Sequence, residues 1–273
     1  MKQAELEVVS LDEPISQWVD IPYGDQITIR MLLNHTSGLP SYTESIPFLL
    51  QYIGAPQRYW HPEELLHVIR NKPLKFPSGT QHEYSNSNYL ILGMILEDAT
   101  QKPYESLVQE LVEDVGLDNT FARNYPQGIP IANGYDQSIF HLGIRNLTGM
   151  RTSLVSGAFA AGDVLSTSSD VAEFVHALFS EQIISNATLS EMTAGIIAPD
   201  EDVPEQLEYG LGLRILQIDN DIFIGHTGTI PGYSGIAMHN REEGITIIIL
   251  SNRSVIEQTK LFSELHLALR DSF

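Results

Sequence analysis

The C-terminal part of this 273-residue chain carries short runs of β-branched and aromatic residues separated by turn residues. Such runs are typical of antiparallel strands joined by short connections. Hairpin connections are indicated at 219–221 and 240–244, and a closing helix at 255–269. Strands followed by a packed helix predict an α+β fold, an antiparallel β-sheet flanked by helices. We predict strands over 209–218, 222–226, 233–238 and 245–250.

Helix start signals dominate the chain before these strands. Thr28 caps one helix, and Pro62 and Pro103 stand at the first positions of two others. Ser87 or Asn88 caps a further helix, because small polar side chains there can accept a hydrogen bond from the first turn. This part of the chain is therefore predicted to be a mainly helical subdomain.

The two patterns divide the chain by element type. Residues 1–200 form the mainly helical region, and residues 201–273 form the antiparallel strands and the C-terminal helix. Within the first part, residues 123–162 show no clear period and predict a long irregular segment. A chain of this length allows one large domain or two interleaved ones, and we expect the two parts to pack as one interleaved unit.

Composition excludes several classes of function. The chain has 35 acidic residues against 15 Lys and Arg and a formal net charge of -20, so a nucleic acid would be repelled. It has no cysteine, which excludes disulfides, a thiolate nucleophile and thiolate metal ligands. No stretch approaches the ~20 apolar residues of a membrane span, and the N-terminus lacks a secretory apolar core. The compartment stays open, with the cytoplasm as the default.

Two short motifs can carry chemistry. Tyr84-Ser85-Asn86 precedes a capped helix, which places the tyrosine on a loop tip. His226-Thr227-Gly228-Thr229 lies at the end of a predicted strand and leads into residues 230–235, where the glycines permit close approach of a ligand to the backbone. Each motif is a weak signal alone.

Together with residues 27–40 and 162–167, these motifs resemble the serine β-lactamase-like superfamily. The resemblance is to the branch that contains class C β-lactamases, D-alanyl-D-alanine carboxypeptidases and related penicillin-binding-protein esterases, and it covers almost the whole chain. It implies a β-lactamase/transpeptidase-like fold and acyl transfer on amide or ester substrates. It implies a small-molecule or peptide substrate and no cofactor or metal.

The resemblance also implies roles for individual residues. Tyr84 would handle a proton and His226 would face the substrate, so these are the candidate catalytic residues. The backbone N–H of Thr229 would be one oxyanion-hole donor. The implied substrate-binding residues are Asn86, Thr227, Gly228 and Thr229.

The nucleophile of this superfamily lies in a Ser-x-x-Lys motif, and that motif occurs nowhere in the chain. It should precede Tyr84, so we expect an N-terminally truncated family member that is impaired or inactive as a hydrolase on its own. The alternative is a pseudoenzyme that binds peptide or cell-wall ligands. A third hypothesis is an active hydrolase with another nucleophile, for which the candidates are Ser37, Ser85 and Ser234.

The missing segment also has a structural consequence. In the family, strands before the nucleophile helix pair beside the last strand. Residues 245–250 should therefore form an exposed apolar edge, which a homodimer or another partner would cover.

His226 occupies the strand position at which the family often has Lys. An imidazole has a reference pKa near ~6.5 and is mostly neutral at pH 7, so it binds a carboxylate less firmly than Lys does. This favours a peptidase or esterase over a β-lactamase.

A phenol titrates near pH ~10 in reference peptides, so Tyr84 without a nearby cation is a poor base. His61 and His67 stand six apart and lack the spacing of a helical zinc motif.

Overall fold

The structure, a computed structural model, describes residues 1–123, 125–126, 128–137, 143–254 and 256–270. The last helix was predicted to begin at Val255, which lies outside the described residues. In the structure this helix begins at Gln258. The helices are α1 (Lys2–Glu5), α2 (Ile29–Leu33), α3 (Ile46–Gly54), α4 (Pro62–Ile69), α5 (Asn86–Thr100), α6 (Tyr104–Val115), α7 (Arg151–Ala158), α8 (Ser168–Phe179), α9 (Asn186–Thr193) and α10 (Gln258–Arg270). The strands are β1 (Phe121–Ala122), β2 (Tyr135–Gln137), β3 (Ile144–Asn146), β4 (Val164–Leu165), β5 (Ile196–Ile197), β6 (Gln206–Tyr209), β7 (Arg214–Ile218), β8 (Asp221–Ile230), β9 (Tyr233–Asn240) and β10 (Ile245–Ser251).

The chain divides into two compact units, each built from several segments. The helical unit comprises Met1–Asp114, Phe121–Tyr125 and Met150–Leu165, and the sheet unit comprises Val115–Thr120, Pro126–Gly149 and Ser166–Phe273. Helices α8 and α9 belong to the sheet unit. The division at residue 200, which sorted residues by element type, stays a prediction, as does the packing of its two parts into one unit.

The sheet unit is built on a six-stranded antiparallel sheet in the order β10-β9-β8-β7-β6-β5. Helix α10 packs on β9 and β10, and α8 packs on the same strands. Phe262 of α10 meets Phe223 of β8 edge to face at 4.9 Å between ring centroids, and both side chains are fully buried. Antiparallel strands with helices packed on them confirm the predicted α+β class.

Helix α5 is central to the helical unit, where it packs on α2, α4 and residues 159–161. Its Leu90 and Ile91 are fully buried. Gly93 lets the chain approach closely, because a Cβ there would lie 2.7 Å from the Phe159 ring. Among the described residues, no helix has the length and apolar character to cross a membrane.

The predicted cap of this helix is wrong by a few residues. Helix α5 begins at Asn86, with Ser85 at the N-cap position. The Ser87 hydroxyl instead donates to the Pro40 carbonyl at 2.7 Å and accepts the N–H of Tyr42 at 2.9 Å. The polar side chains of the first turn therefore bind a neighbouring loop, and this tertiary use overrides their capping preference.

Two further predictions about elements are wrong. The strand predicted over 209–218 is two strands, because the chain turns between β6 and β7 at Gly212, whose φ is +85°. The segment predicted to be irregular contains α7, a helix rich in Ser and Gly with weak helix propensity. Tertiary hydrogen bonds support α7, since Trp60 donates through its indole N–H to Ser153 and through its backbone N–H to Ser156, both at 3.0 Å.

The register of β8 against β9 predicts a stability effect at Gly225. A Cβ at this position would lie 1.9 Å from the Ala237 carbonyl oxygen, so Gly225→Ala forces the two strands apart. We expect this change to lower the free energy of unfolding by about 2 kcal/mol or more, measured by urea denaturation. Gly228→Ala in the same strand is the matched control, because its Cβ would meet nothing within 4 Å. Equal unfolding midpoints for the two variants would contradict this register.

Candidate active site

A buried loop after α2 underlies the Tyr84 motif in the helical unit. His35 is fully buried with φ +56°, and Gly38 follows with φ +77°. A Cβ on Gly38 would lie 2.2 Å from the Phe76 carbonyl oxygen, so only glycine allows this contact. The Gly79 N–H donates to the Thr36 carbonyl at 2.8 Å and ties the loop to the chain that leads to Tyr84.

His35 positions the Tyr84 loop in two ways. The Tyr84 ring lies over the His35 ring, with centroids 4.2 Å apart and an interplanar angle of 33°. The backbone N–H of Ser85 donates to His35 Nδ1 at 3.1 Å. Because a backbone N–H can only donate, Nδ1 is an unprotonated acceptor and the ring is neutral in this arrangement. Asn88 Nδ2 lies 3.0 Å from the same nitrogen and reinforces the assignment.

Asn86 is anchored at the first position of α5. Its backbone N–H donates to the Ser41 hydroxyl at 3.2 Å, and its side-chain Nδ2 donates to Thr43 Oγ1 at 3.0 Å. These bonds fix the orientation of the Asn86 side-chain amide, which follows Tyr84 by two residues. Substrate binding by Asn86 stays a prediction.

The alternative serine nucleophiles are all buried, with exposed fractions of 1% for Ser37, 2% for Ser85 and 7% for Ser234. The Ser37 hydroxyl donates to Asn88 Oδ1 at 2.6 Å, and the Ser234 hydroxyl donates to the Arg253 carbonyl at 2.7 Å. A hydroxyl that is buried or already donates its proton is poorly placed to attack a substrate. The structure therefore gives no support to a replacement nucleophile at these positions.

The second motif lies within β8, which extends past the predicted end at residue 226 to Ile230. His226 Nδ1 lies 2.5 Å from the Thr227 carbonyl oxygen, and its Nε2 lies 2.9 Å from the Tyr209 hydroxyl. A carbonyl can only accept, so Nδ1 carries the proton and, in the neutral ring, the tyrosine donates to Nε2. The network selects one tautomer of a neutral imidazole.

Electrostatics also favour the neutral ring. Burial, followed by the positive charge of Arg214, lowers the pKa of His226 to about 4, although the hydrogen bond to the Thr227 carbonyl acts in the opposite direction. Arg214 is itself buried on β7, where its Nη1 donates to Asp200 Oδ2 at 2.9 Å and to Gln206 Oε1 at 2.5 Å. At pH 7 His226 is therefore uncharged, in agreement with the expectation from its reference value.

The strand beyond His226 has one neighbour. Pairing of β8 with β7 ends at Gly225, whereas pairing with β9 continues to Ile230. Among the described residues, the segment 226–230 thus has an edge that no strand covers, and Gly228 and Thr229 on it are exposed. Gln258 of α10 donates to Thr229 Oγ1 at 3.2 Å. An uncovered strand edge with a glycine can pair with an extended ligand through backbone hydrogen bonds.

The structure places the predicted residues in two clusters, one in each unit. Tyr84 packs on His35 and Asn86 binds Ser41 and Thr43 in the helical unit, whereas His226, Thr227, Gly228 and Thr229 are consecutive on β8 in the sheet unit. Sequence analysis missed Tyr209 and Arg214 as partners of His226. One signal was present, since Arg214 is a charged residue inside an otherwise apolar run.

Comparison with known proteins assigns the family. The Beta-lactamase family model matches residues 1–267, so this chain belongs to the β-lactamase family. Penicillin-binding protein 4* of Bacillus subtilis is 26% identical in an alignment 268 residues long that covers 91% of this chain and 56% of that protein. Teichoic acid D-alanine hydrolase of Staphylococcus aureus is 23% identical over 84% of this chain and 55% of its own length. The chain thus spans about half the length of the curated relatives it matches.

Solved structures confirm the predicted β-lactamase/transpeptidase-like fold. D-amino acid amidase from Ochrobactrum anthropi, in a complex with L-phenylalanine amide, is 27% identical, with a TM-score of 0.86 over 99% of this chain and 81% of that chain. A D-stereospecific amidohydrolase from Streptomyces is 28% identical, with a TM-score of 0.83 over 93% of this chain and 78% of that chain.

The lowered pKa of His226 predicts a pH dependence of stability. The unfolded chain takes up a proton on this residue below pH ~6.5, whereas the folded protein takes it up only near pH 4. The contribution of His226 to the free energy of unfolding is therefore fully present above pH ~6.5 and is lost as the pH falls toward about 4. We expect His226→Gln to lose less stability than the wild type over this range in urea unfolding. His67→Gln, on the exposed surface of α4, is the control, and parallel curves for wild type and His226→Gln would contradict the assignment.

Proposed function

We propose that this chain binds D-amino-acyl amides or esters and contributes to an acyl-transfer hydrolase of the amidase, peptidase or esterase type. Neutral His226 at the start of an uncovered strand edge is the observation that carries the proposal. In this reading Tyr84 handles a proton, His226 faces the substrate, and Thr229 offers an oxyanion-hole donor. These roles follow the family pattern, and the geometry of each cluster supports them separately.

The substrate class follows from the charge at His226. A Lys at this position would form a charge-assisted hydrogen bond with a substrate carboxylate, and such bonds are roughly twice as strong as neutral ones. The imidazole is held neutral by burial and by Arg214, so it offers no such pair. Amides and esters of D-amino acids have no carboxylate at the acyl group, and they suit a neutral partner better than a β-lactam does.

The relatives support the same class. One is a D-alanine hydrolase that acts on teichoic acid, and another is a D-amino acid amidase whose structure was solved with D-phenylalanine. Both names share a D-amino acid as the acyl part. We extend that class to this chain as a proposal, since the identities are 23% and 27%.

Turnover is a separate matter, because no Ser-x-x-Lys motif occurs in these residues. We propose that the chain alone binds its ligand and does not hydrolyse it at a useful rate. The presence of the nucleophile on a preceding segment stays a prediction.

Binding is tested by titrating the tag-free chain with D-alanine amide and, in parallel, with L-alanine amide, followed by protein NMR. We expect the D form to bind more tightly and His226→Gln to weaken its binding roughly fivefold to tenfold, since the hydrogen bond with the Tyr209 hydroxyl that holds the start of the strand edge is lost. His67→Gln should bind as the wild type does. Equal affinity for the two enantiomers, or no effect of His226→Gln, would refute the proposed ligand class.

Catalysis is tested on the same sample by intact mass before and after treatment with a fluorophosphonate probe. We expect the mass of the 30.4 kDa chain to stay unchanged. A single stoichiometric adduct on a serine would show an active nucleophile and overturn the statement that the chain does not turn over substrate.

A second candidate function is a pseudoenzyme binding module that associates through its sheet edge. Strand β10 lies at one end of the sheet, and β9 is its one strand neighbour among the residues that the structure describes. Leu250 is 47% exposed there and lines a groove with Ile256 and Leu261. A long apolar edge without charged residues tends to pair with another chain. A second copy of this chain offers the same edge, and antiparallel pairing of two β10 strands would cover both.

This candidate predicts an association that depends on β10. We expect light scattering to show a dimer whose population falls in Leu250→Lys, because two lysines at a shared edge repel each other. Leu207→Lys on β6 is the control. Leu207 is 43% exposed, and three strands separate β6 from β10 in the sheet. A monomer at every concentration tested, or equal association of both variants, would remove this candidate.

A further inference from the structure

A second cluster of titratable groups lies in the sheet unit, apart from the His226 network. Asp221 begins β8, Glu243 lies in the turn between β9 and β10, and His266 lies in the last turns of α10. Each residue offers one ligand atom, and these atoms all lie within 4.8 Å of one another. Three residues from three different elements therefore meet at one point.

The unusual member is His266, whose side chain is fully buried against the Phe223 ring. Its Nε2 lies 3.0 Å from Glu243 Oε2. Its Nδ1 faces Asp221 Oδ2 at 4.0 Å and has no hydrogen-bond partner among the described residues. When Nε2–H donates to Glu243, a nitrogen lone pair is left to face a carboxylate oxygen. A positive group between these two electron-rich atoms would stabilise the arrangement.

The gap is slightly wider than a zinc site. Zinc binds imidazole nitrogen at ~2.0–2.1 Å and carboxylate oxygen at ~2.0–2.2 Å, and its tetrahedral angle places two such atoms about 3.4 Å apart, so a small movement of the Asp221 side chain toward His266 Nδ1 would complete this geometry. A carboxylate that accepts the other ring N–H is the usual outer partner of a zinc-bound histidine. Glu243 holds that position. Asp221 is 21% exposed and Glu243 28%, so an ion can enter from solvent on the carboxylate side.

We propose that Asp221, Glu243 and His266 form a zinc site that ties α10 to the end of the sheet. His266 Nδ1 and an Asp221 oxygen are the ligands, and Glu243 orients the ring and lies close enough to supply a further oxygen. One imidazole with carboxylates favours zinc over magnesium or calcium, which prefer oxygen ligands alone. No local pattern indicates this site, because the three residues are not adjacent in the chain and match no spacing motif.

Arg270 neutralises the same carboxylates. Its Nη1 lies 2.7 Å from Asp221 Oδ2, and its Nε lies 3.7 Å from Glu243 Oε1. The guanidinium and a metal ion would therefore compete for the same oxygens. Removal of Arg270 should strengthen zinc binding, whereas removal of a ligand should abolish it.

The test is calorimetric titration of the tag-free, chelator-treated chain with zinc chloride. We expect about one zinc ion per chain, loss of that binding in Asp221→Asn and in His266→Gln, and severalfold tighter binding in Arg270→Gln. Zinc at about a hundred times its dissociation constant should raise the melting temperature of the wild type by about 5 °C or more. His67→Gln is the control for other histidines and should bind zinc as the wild type does.

Two results would overturn the proposal. The first is no zinc binding, or binding that both Asp221→Asn and His266→Gln retain. Asp221 is partly exposed, so this variant keeps the test valid if the buried His266→Gln fails to fold. The second is an NMR spectrum in which both ring nitrogens of His266 carry protons and zinc changes nothing, because an imidazolium would then fill the gap.

Discussion

The close contact of β8 with β9 at Gly225 is the constraint on which the sheet unit depends. Side chains alternate between the two faces of a strand, so a register slip of one residue would move every side chain of the strand to the opposite face. The observed register places Phe223 in the core against Phe262. A side chain at position 225 would collide with the Ala237 carbonyl. The missing Cβ at position 225 therefore allows the register on which the packing of the core depends.

Both candidate clusters are built around a neutral imidazole, and in each cluster the surrounding residues keep the ring uncharged. His35 accepts the Ser85 N–H, so a proton on Nδ1 would meet a donor. His226 is kept neutral by burial and by Arg214. The family uses cations to assist its tyrosine and to bind a carboxylate, whereas these two rings supply hydrogen bonds without charge. Each cluster is therefore polar and uncharged at its histidine.

The sequence allowed the fold class, the family and the starts of α2 and α4 to be predicted, because these depend on local signals. Thr28 caps α2 through a bond from the Met31 N–H, as its position predicted. The failures share one cause, which is that long-range contacts overrode local preference: Ser87 binds a loop instead of capping α5, and α7 is supported by Trp60 despite weak propensity. Tyr209 could not be assigned to His226 from the sequence, because only the pairing of β6, β7 and β8 brings the two side chains together. For the same reason the Asp221, Glu243 and His266 cluster carried no local signal.

Helix α10 connects that cluster with the strand edge beyond His226. The helix has 13 residues and is therefore about 20 Å long. Near its start Gln258 donates to Thr229, and near its end His266 meets Glu243. A helix is stiff along its axis, so a bond that fixes its last turns also restricts the position of its first. A metal ion at the end of the sheet would thus stabilise the placement of Thr229, whose backbone N–H is the proposed oxyanion-hole donor, without touching the substrate.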